Sequence, residues 1–149
     1  METRLNIFEH MAALKPVFGL GGHLNKSSLE IGLRELISFR ISQFNGCAYC
    51  LDMHGKDARH RGESEQRLYT LSAWRETPFF TDRERAALAF AEAVNKAHVP
   101  DAVYEAAKTQ FTDAELIDLT IAVATINIWN RLNITFGNEV GTYQVGQFA

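Results

Sequence analysis

Apolar residues recur along this sequence three and four positions apart, which is the spacing of one face of an α-helix. The clearest run comprises Leu33, Leu36, Ile37, Ile41 and Phe44. No stretch of useful length alternates apolar and polar residues, as a half-buried strand would require. Capping-box patterns, in which a Ser or Thr precedes a Glu by three residues, begin at Ser27, Thr81 and Thr112. These patterns predict an all-α fold, a compact bundle of about six to eight helices.

Further helices are expected from the same spacing and from helix start and stop signals. Their approximate limits are residues 5–24, 47–61, 64–74 and 101–111. In the first of these, Pro16 and several glycines interrupt the pattern, so its limits are open. In the second, Gly62 supplies the stop, and Ser64 is expected to cap the third.

The last apolar segment, residues 116–136, is long enough to raise the question of a membrane-spanning helix. Asp118 and Arg131 within it would be costly in lipid, so a buried central helix is expected instead. Because the segment is apolar on nearly every side, one small domain can hardly cover it, and we expect it to pack against a second copy of the chain. The glycine-rich residues 137–149 are expected to form a loose tail or an arm on a neighbouring copy.

Length and charge narrow the range of functions. The 149 residues, 46% of them hydrophobic, suit one domain with its own core, spanning residues 1–149. The net charge of −3 is interspersed, so neither nucleic acid nor a membrane surface is an expected partner. The first residues lack the apolar core of a signal peptide, which makes a cytoplasmic location the expectation. In that reducing compartment a lone cysteine pair is expected to be catalytic or metal-binding rather than structural.

Both cysteines of the chain lie in one short stretch, Cys47-x-x-Cys50, and His54 follows four residues later. Asn45 and Gly46, just before the stretch, are typical of a turn that separates two helices. A helix starting near Cys47 would place the three side chains on one face, at positions i, i+3 and i+7. Its first turn has unpaired backbone N–H groups, which favour an anion such as a thiolate. We therefore interpret the stretch as a dithiol redox centre.

A helix terminus alone does not make the thiolate the main form of a cysteine. It contributes roughly 0.3–1 kcal/mol, and one pKa unit corresponds to about 1.36 kcal/mol. An ordinary cysteine pKa of about 8.5 therefore falls by roughly one unit. A nearby imidazole that accepts the proton supplies the further depression seen in Cys–His pairs, and His54 is the residue placed to do so.

Four other interpretations compete with a redox centre. Buried cysteines with a core histidine are common one by one but less so together. A c-type haem site is excluded, because Leu51 stands where the ligand histidine would follow the second cysteine. A zinc site that adds His60 to His54 and the cysteines is disfavoured, because the two histidines would point to different faces of a helix. A thioredoxin-type site is disfavoured, because no strand pattern precedes the pair.

Glu35 lies twelve residues before Cys47, and this glutamate followed by Cys47-x-x-Cys50 and His54 resembles the core motif of the alkylhydroperoxidase AhpD family. That family belongs to the carboxymuconolactone decarboxylase-like superfamily. Three further stretches resemble its compact branch: residues 41–50 (ISQFNGCAYC), 73–78 (AWRETP) and 126–131 (INIWNR). The resemblance covers about residues 27–136.

The resemblance implies a thiol-dependent peroxidase in which Glu35 and His54 form a proton relay that deprotonates the dithiol. Cys50 would be the peroxidatic sulfur that reduces a hydroperoxide, and Cys47 would resolve the sulfenic acid to a disulfide. It also implies no tightly bound cofactor and no metal, with electrons returned by an external dithiol such as the dihydrolipoyl group of a partner protein. Assembly as a homo-oligomer, a trimer or hexamer, is implied as well.

Two departures from the family pattern limit what the resemblance implies about catalytic efficiency and about the reductant. The chain shows no internal duplication, unlike longer founding members of the family, and Ala48 and Tyr49 offer no titratable group of low pKa between the cysteines. General disulfide oxidoreduction is equally compatible with the residues. A decarboxylase of the same superfamily and a non-catalytic oligomeric stress-response module are further alternatives.

The remaining conspicuous side chains are expected to be structural. The other four histidines, which have no convincing partner in the sequence, are His10, His23, His60 and His98. Trp129, Asn130 and Arg131 are expected to belong to the core and to a polar network within it.

Overall fold

The computed structural model describes residues 2–148, and within them the chain forms seven α-helices. They are α1 (Met11–Leu24), α2 (Ile31–Asn45), α3 (Ala48–His60), α4 (Glu65–Thr70), α5 (Asp82–Asn95), α6 (Asp101–Lys108) and α7 (Asp113–Phe136). Short 3₁₀ segments, Ile7–His10 and Leu71–Glu76, precede α1 and follow α4. Residues 2–148 contain no strand, so the all-α prediction is confirmed.

The centre of the bundle is formed by α2, which packs against α3, α5 and α7. The apolar run that predicted this helix supplies its buried face, with Ile37 and Ile41 fully enclosed. From α7, Leu119 and Val123 meet the same core. The consequence for function is that α2 and α7 both stand beside the start of α3, where the cysteines lie.

Two of the three predicted capping boxes are confirmed. Thr81 and Thr112 each accept a hydrogen bond from the backbone N–H three residues on, and the glutamate there accepts one in return. The box at Ser27 is wrong, because α2 begins only at Ile31. The Ser27 hydroxyl instead donates to the carboxylate of Asp118 on α7. Its oxygen also accepts the backbone N–H of Leu29 at 3.2 Å, so the hydroxyl has one tertiary and one local partner, neither of them the predicted one.

Two helix limits differ from expectation. α1 runs without a break through Pro16 and the glycines that follow. Pro16 is exposed, so water can hydrate the carbonyl that loses its partner there. The helix expected to end near Trp74 stops at Thr70 and continues as a 3₁₀ segment with a kink at Ala73.

The residues after α7 fold back over their own chain, so the expectation of a loose tail or an arm on a neighbour is wrong. Tyr143 is buried, and its hydroxyl donates to the carboxylate of Asp57 at 2.8 Å. The ammonium of Lys56 donates to the carbonyl of Tyr143 at 3.1 Å. The ring of Phe148 stacks on Phe8, with centroids 5.2 Å apart. Burial of the Tyr143 ring and stacking of Phe148 on Phe8 fix the tail.

Residues 2–148 include no helix that is both long and apolar enough to cross a membrane. Of the two charged side chains in α7 that disfavoured a span, Arg131 is exposed and Asp118 is buried. Asp118 accepts hydrogen bonds from Ser27 and from His23.

Candidate active site

The turn between α2 and α3 places the cysteine pair. α2 ends at Gly46, which has a φ of 69°, and the N–H of Cys47 then donates to the carbonyl of Ser42 at 3.1 Å. Cys47 becomes the N-cap of α3, and its Sγ accepts the N–H of Cys50 at 3.3 Å. The predicted helix start is confirmed, with Cys50 in the first turn.

Cys47 and Cys50 are joined by a disulfide, and both are fully buried. The structure therefore shows the pair in the oxidised form of a dithiol. Reaction at either sulfur requires a route through the surrounding side chains.

His54 of α3 faces Glu35 of α2, and its Nδ1 lies 2.7 Å from Oε2 of the carboxylate. Each side chain is only 14% exposed. Gly55 allows α3 to lie close to α2 here, since a Cβ at Gly55 would come within 3.2 Å of the ring of Phe39. When Nδ1 donates to the carboxylate, Nε2 is the nitrogen that can accept a proton.

Asn133 of α7 is a residue of the site that sequence reasoning did not find. Its Nδ2 donates to Sγ of Cys50 at 3.3 Å, and its Oδ1 accepts from Nδ2 of Asn138 at 2.5 Å. Asn133 and Cys50 are both buried. The only signal in the sequence is a polar residue within an apolar segment, which does not say what it contacts.

A second amide network fixes the end of α2 just before the cysteines. Asn130 is fully buried, donates to the hydroxyl of Ser42 at 3.0 Å and accepts from Asn45 at 2.8 Å. Its predicted place in a polar network is confirmed. Arg131 is exposed, so its expected place in the core is wrong. It does join the polar network, because it donates to Asn127, whose side chain also accepts from Asn45.

An apolar cavity of about 230 Å³ lies on the His54 side of the site. It is lined mainly by apolar side chains, with His54 and Asn133 as its polar groups. The apolar side chains are Phe8, Val17, Phe18, Tyr49, Met53, Trp129 and Phe148. Trp129 meets Phe18 edge-on at 5.1 Å. Two polar groups in an apolar wall are typical of a site for a small organic ligand.

A larger polar groove, of about 640 Å³, lies on the Glu35 side. Met53 and Phe148 belong to both walls and separate the groove from the apolar cavity. The hydrogen bond between Glu35 and His54 thus connects a polar, open space to an apolar one.

Tyrosines beside the site are poor proton donors. Burial, with a smaller contribution from Asp52, raises the pKa of Tyr49. Burial and the hydrogen bond to Asp57 raise the pKa of Tyr143 to about 12. Both phenols are therefore neutral near pH 7.

Two other sequence expectations are tested by the structure. His23 has a partner after all, because its Nε2 lies 2.7 Å from the carboxylate of Asp118 on α7. Sequence could not find this contact, which joins residues 95 positions apart.

His60 lines the polar groove. Between residues 2 and 148, no three His, Cys, Asp or Glu side chains are arranged to hold a metal ion.

The fold and the dithiol together define an AhpD-like protein. The model of the carboxymuconolactone decarboxylase family matches residues 11–93, which is more than half of the chain. The chain belongs to that family.

Two relatives are uncharacterized bacterial proteins. The chain is 37% identical over 146 residues to YdfG of Bacillus subtilis (strain 168), a match that covers 95% of this chain and 99% of the relative. It is 34% identical over 110 residues to YnjA of Escherichia coli (strain K12), covering 72% of this chain and 60% of that longer protein.

Solved structures support the same assignment. A protein of unknown function from Agrobacterium tumefaciens, assigned provisionally to antioxidant defence as AhpD, superimposes with a TM-score of 0.90 at 39% identity, covering 95% of this chain and 100% of that chain. An uncharacterized peroxidase-related protein with an AhpD core from Ralstonia eutropha JMP134 superimposes with a TM-score of 0.81 at 26% identity. The match covers 91% of this chain and 74% of that chain. The debrominase Bmp8 shares the fold, with a TM-score of 0.80 at 19% identity. That match covers 91% of this chain and 75% of the debrominase chain.

Proposed function

We propose that this protein is a thiol-dependent peroxidase of the alkyl hydroperoxide reductase-like type. The observation that carries the proposal is the 2.7 Å contact between His54 and Glu35, one turn along α3 from a buried cysteine pair. His54 also lines the apolar cavity, where a hydroperoxide would bind. Asn133 lines the same cavity and donates to Sγ of Cys50, so this side chain links the proposed substrate space to the dithiol.

The first step converts Cys50 to a sulfenic acid. His54 takes the thiol proton of Cys50, and the carboxylate of Glu35 stabilises the imidazolium that results. The thiolate attacks the terminal peroxide oxygen, so that an S–O bond forms and the O–O bond breaks. The departing alkoxide takes the proton from His54 and leaves as an alcohol.

The second step forms the disulfide. The sulfur of Cys47 attacks the sulfur of Cys50, an S–S bond forms and the S–O bond breaks. The hydroxyl group leaves with the proton of Cys47 as water. One hydroperoxide has then become alcohol and water at the expense of two thiols, and the product is the disulfide that joins the two residues in the structure.

The third step restores the dithiol. An external dithiol, such as a dihydrolipoyl group on a partner protein, attacks the disulfide and forms a mixed disulfide. Its second thiol then displaces the protein sulfur. The reductant leaves as a disulfide, and both protein thiols are regenerated.

The test is peroxide consumption by the reduced protein with dihydrolipoamide as reductant. Cys47→Ser and Cys50→Ser should abolish turnover, and His54→Gln and Glu35→Gln should lower kcat/KM by about 10²-fold or more, the range of general acid–base catalysis. With one equivalent of peroxide, Cys47→Ser should still form a trappable sulfenic acid, whereas Cys50→Ser should not. This single-turnover experiment separates the two cysteine roles.

Matched controls exist within the chain. His60→Gln changes another histidine of α3, and Glu105→Gln changes an exposed glutamate of α6, and both should retain wild-type turnover. Wild-type consumption no faster than that of a free-thiol control would remove the peroxidase proposal.

General disulfide oxidoreduction is the second candidate, because the structure holds the pair as a disulfide with an acid–base group one turn away. It predicts that the reduced protein reduces a small disulfide, such as oxidised glutathione, faster than it consumes any hydroperoxide. Measuring both reactions on one preparation decides between the two candidates.

A further inference from the structure

Each sulfur of the pair has one hydrogen-bond donor, and the two donors differ in kind. Sγ of Cys47 accepts the backbone N–H of Cys50 at 3.3 Å, which any residue at position 50 would supply. Sγ of Cys50 accepts Nδ2 of Asn133 at 3.3 Å, which only this side chain supplies. The sulfur to which the proposed function assigns the chemistry thus has a donor that the helix N-terminus does not provide.

The amide of Asn133 is held in one orientation. Its Oδ1 accepts from Nδ2 of Asn138, and the backbone N–H of Asn138 reaches the carbonyl of Asn133 at 3.4 Å. With Oδ1 engaged on that side, the NH₂ group points at Cys50. Asn138 follows Gly137, the left-handed residue that ends α7, so the end of the helix fixes the amide.

Burial makes the hydrogen bond from Asn133 important for the ionisation of Cys50. Asn133 and Cys50 are both buried, so water cannot take over the hydrogen bond when the thiolate forms. A hydrogen bond to an ionised acceptor is stronger than one to a neutral acceptor. The contact therefore stabilises the thiolate more than it stabilises either the thiol or the disulfide.

We propose that Asn133 is a catalytic residue, the hydrogen-bond donor that holds Cys50 as a thiolate both when it attacks peroxide and when it leaves during reduction of the disulfide. Asn138 is a positioning residue that acts through Asn133. The inference rests on the proposed function for the identity of the reacting sulfur. Its test does not, since the ionisation of a thiol is measured without any peroxide.

The test uses the full chain with Cys47→Ser, in which Cys50 is the single thiol. Its pKa is measured by thiolate absorbance as a function of pH. Adding Asn133→Leu, which keeps the size and removes the donor, should raise the pKa of Cys50 by about one unit. Asn133→Asp, which has the same shape but brings a negative charge, should raise it further, and Asn138→Ala should raise it less than either.

Asn95→Leu is the control, because the side chain of Asn95 accepts from Asn127 and has no contact with a sulfur. It should leave the titration unchanged. Circular dichroism checks the fold of each variant, and Asn138→Ala keeps the test possible if Asn133→Leu does not fold. A thiol pKa that stays within about 0.3 units of the parent in folded Asn133 variants would overturn the proposal, whatever the peroxidase assay shows.

Discussion

At the scale of single residues, the buried carboxylate of Glu92 on α5 ties three parts of the chain together. Its Oε1 accepts from Nε of Arg40 at 2.8 Å and from the indole of Trp74 at 2.9 Å, and its Oε2 accepts from Arg75 at 2.7 Å. Burial by itself raises the pKa of Glu92, but these hydrogen bonds outweigh it and hold the pKa below the ordinary value. Trp74 and Arg75 lie in one of the stretches that resembled the family, and the structure gives them this structural role.

Replacing Glu92 should be strongly destabilising at neutral pH. Glu92→Gln leaves Arg40 buried beside an uncharged group, so the free energy of unfolding should fall by about 3 kcal/mol. The pKa of Glu92 in the folded protein lies below the ordinary value of 4.5. The ionised carboxylate of Glu92 therefore stabilises the fold at pH values above 4.5. This stabilisation is lost as the pH falls through the folded-state pKa. Urea unfolding of wild type and variant at pH 7 and pH 3 measures both effects.

The difference in free energy of unfolding between wild type and Glu92→Gln should therefore be smaller at pH 3 than at pH 7. Other carboxylates with lowered pKa values, such as Glu115 and Asp118, occur in both proteins and cancel in the comparison. Glu105→Gln serves as the exposed control and should change stability little at either pH. A Glu92→Gln deficit of the same size at pH 3 as at pH 7 would contradict this account.

At the scale of elements, the turn from α2 to α3 decides where the dithiol lies. Gly46 adopts a left-handed conformation, which L residues with a Cβ adopt at a cost. Cys47 can cap α3 only because the chain reverses there. The sequence signal Asn45-Gly46 predicted the break, and the left-handed φ is its physical cause.

A pair of glycine substitutions should separate backbone strain from crowding. An added Cβ meets nothing within 4 Å at Gly46 or at Gly19 in the middle of α1. Gly46→Ala should nevertheless destabilise the protein by about 1 kcal/mol, because φ is positive. Gly19→Ala should stabilise it by about 0.5–1 kcal/mol, because the position is helical. Thermal or urea unfolding measures the change in stability of each variant. Changes of the same sign in the two variants would contradict this explanation.

At the scale of the whole molecule, α7 remains uncovered on one side. Ile117 is 61% exposed and Ile128 is 36% exposed on this helix. The sequence predicted that the helix would pack against a second copy, and that stays a prediction. The tail leaves these residues exposed, and its Tyr143 and Phe148 rings line the spaces beside the site instead.

Self-association should be visible by light scattering at micromolar protein. We expect a mass that is a multiple of the 16.8 kDa chain, and the double variant Ile117→Glu, Ile128→Glu should lower it, because charge on an apolar contact is costly. Tyr69→Glu changes a side chain that is exposed on α4 and should leave the mass unchanged. A wild-type monomer at this concentration would refute the prediction.

What the sequence determined by itself is local in the chain. Helical spacing, the boxes at Thr81 and Thr112, and the alignment of Cys47, Cys50 and His54 all depend on residues within two turns of one another. Backbone geometry alone relates such residues, so the all-α class and the dithiol at a helix start could be predicted. Glu35 entered only through the resemblance to a family, since nothing in its surroundings distinguishes it from a surface charge.

Only the tertiary structure decided which distant side chains meet. Asn133 reaches Cys50 across 83 residues, and the hydroxyl of Tyr143 reaches Asp57 across 86. The hydroxyl of Ser27 likewise donates to Asp118 on α7, across 91 residues. A polar residue in an apolar segment must find a partner, but the partner depends on how the helices pack. Packing is a property of the whole bundle, and no local pattern in the sequence records it.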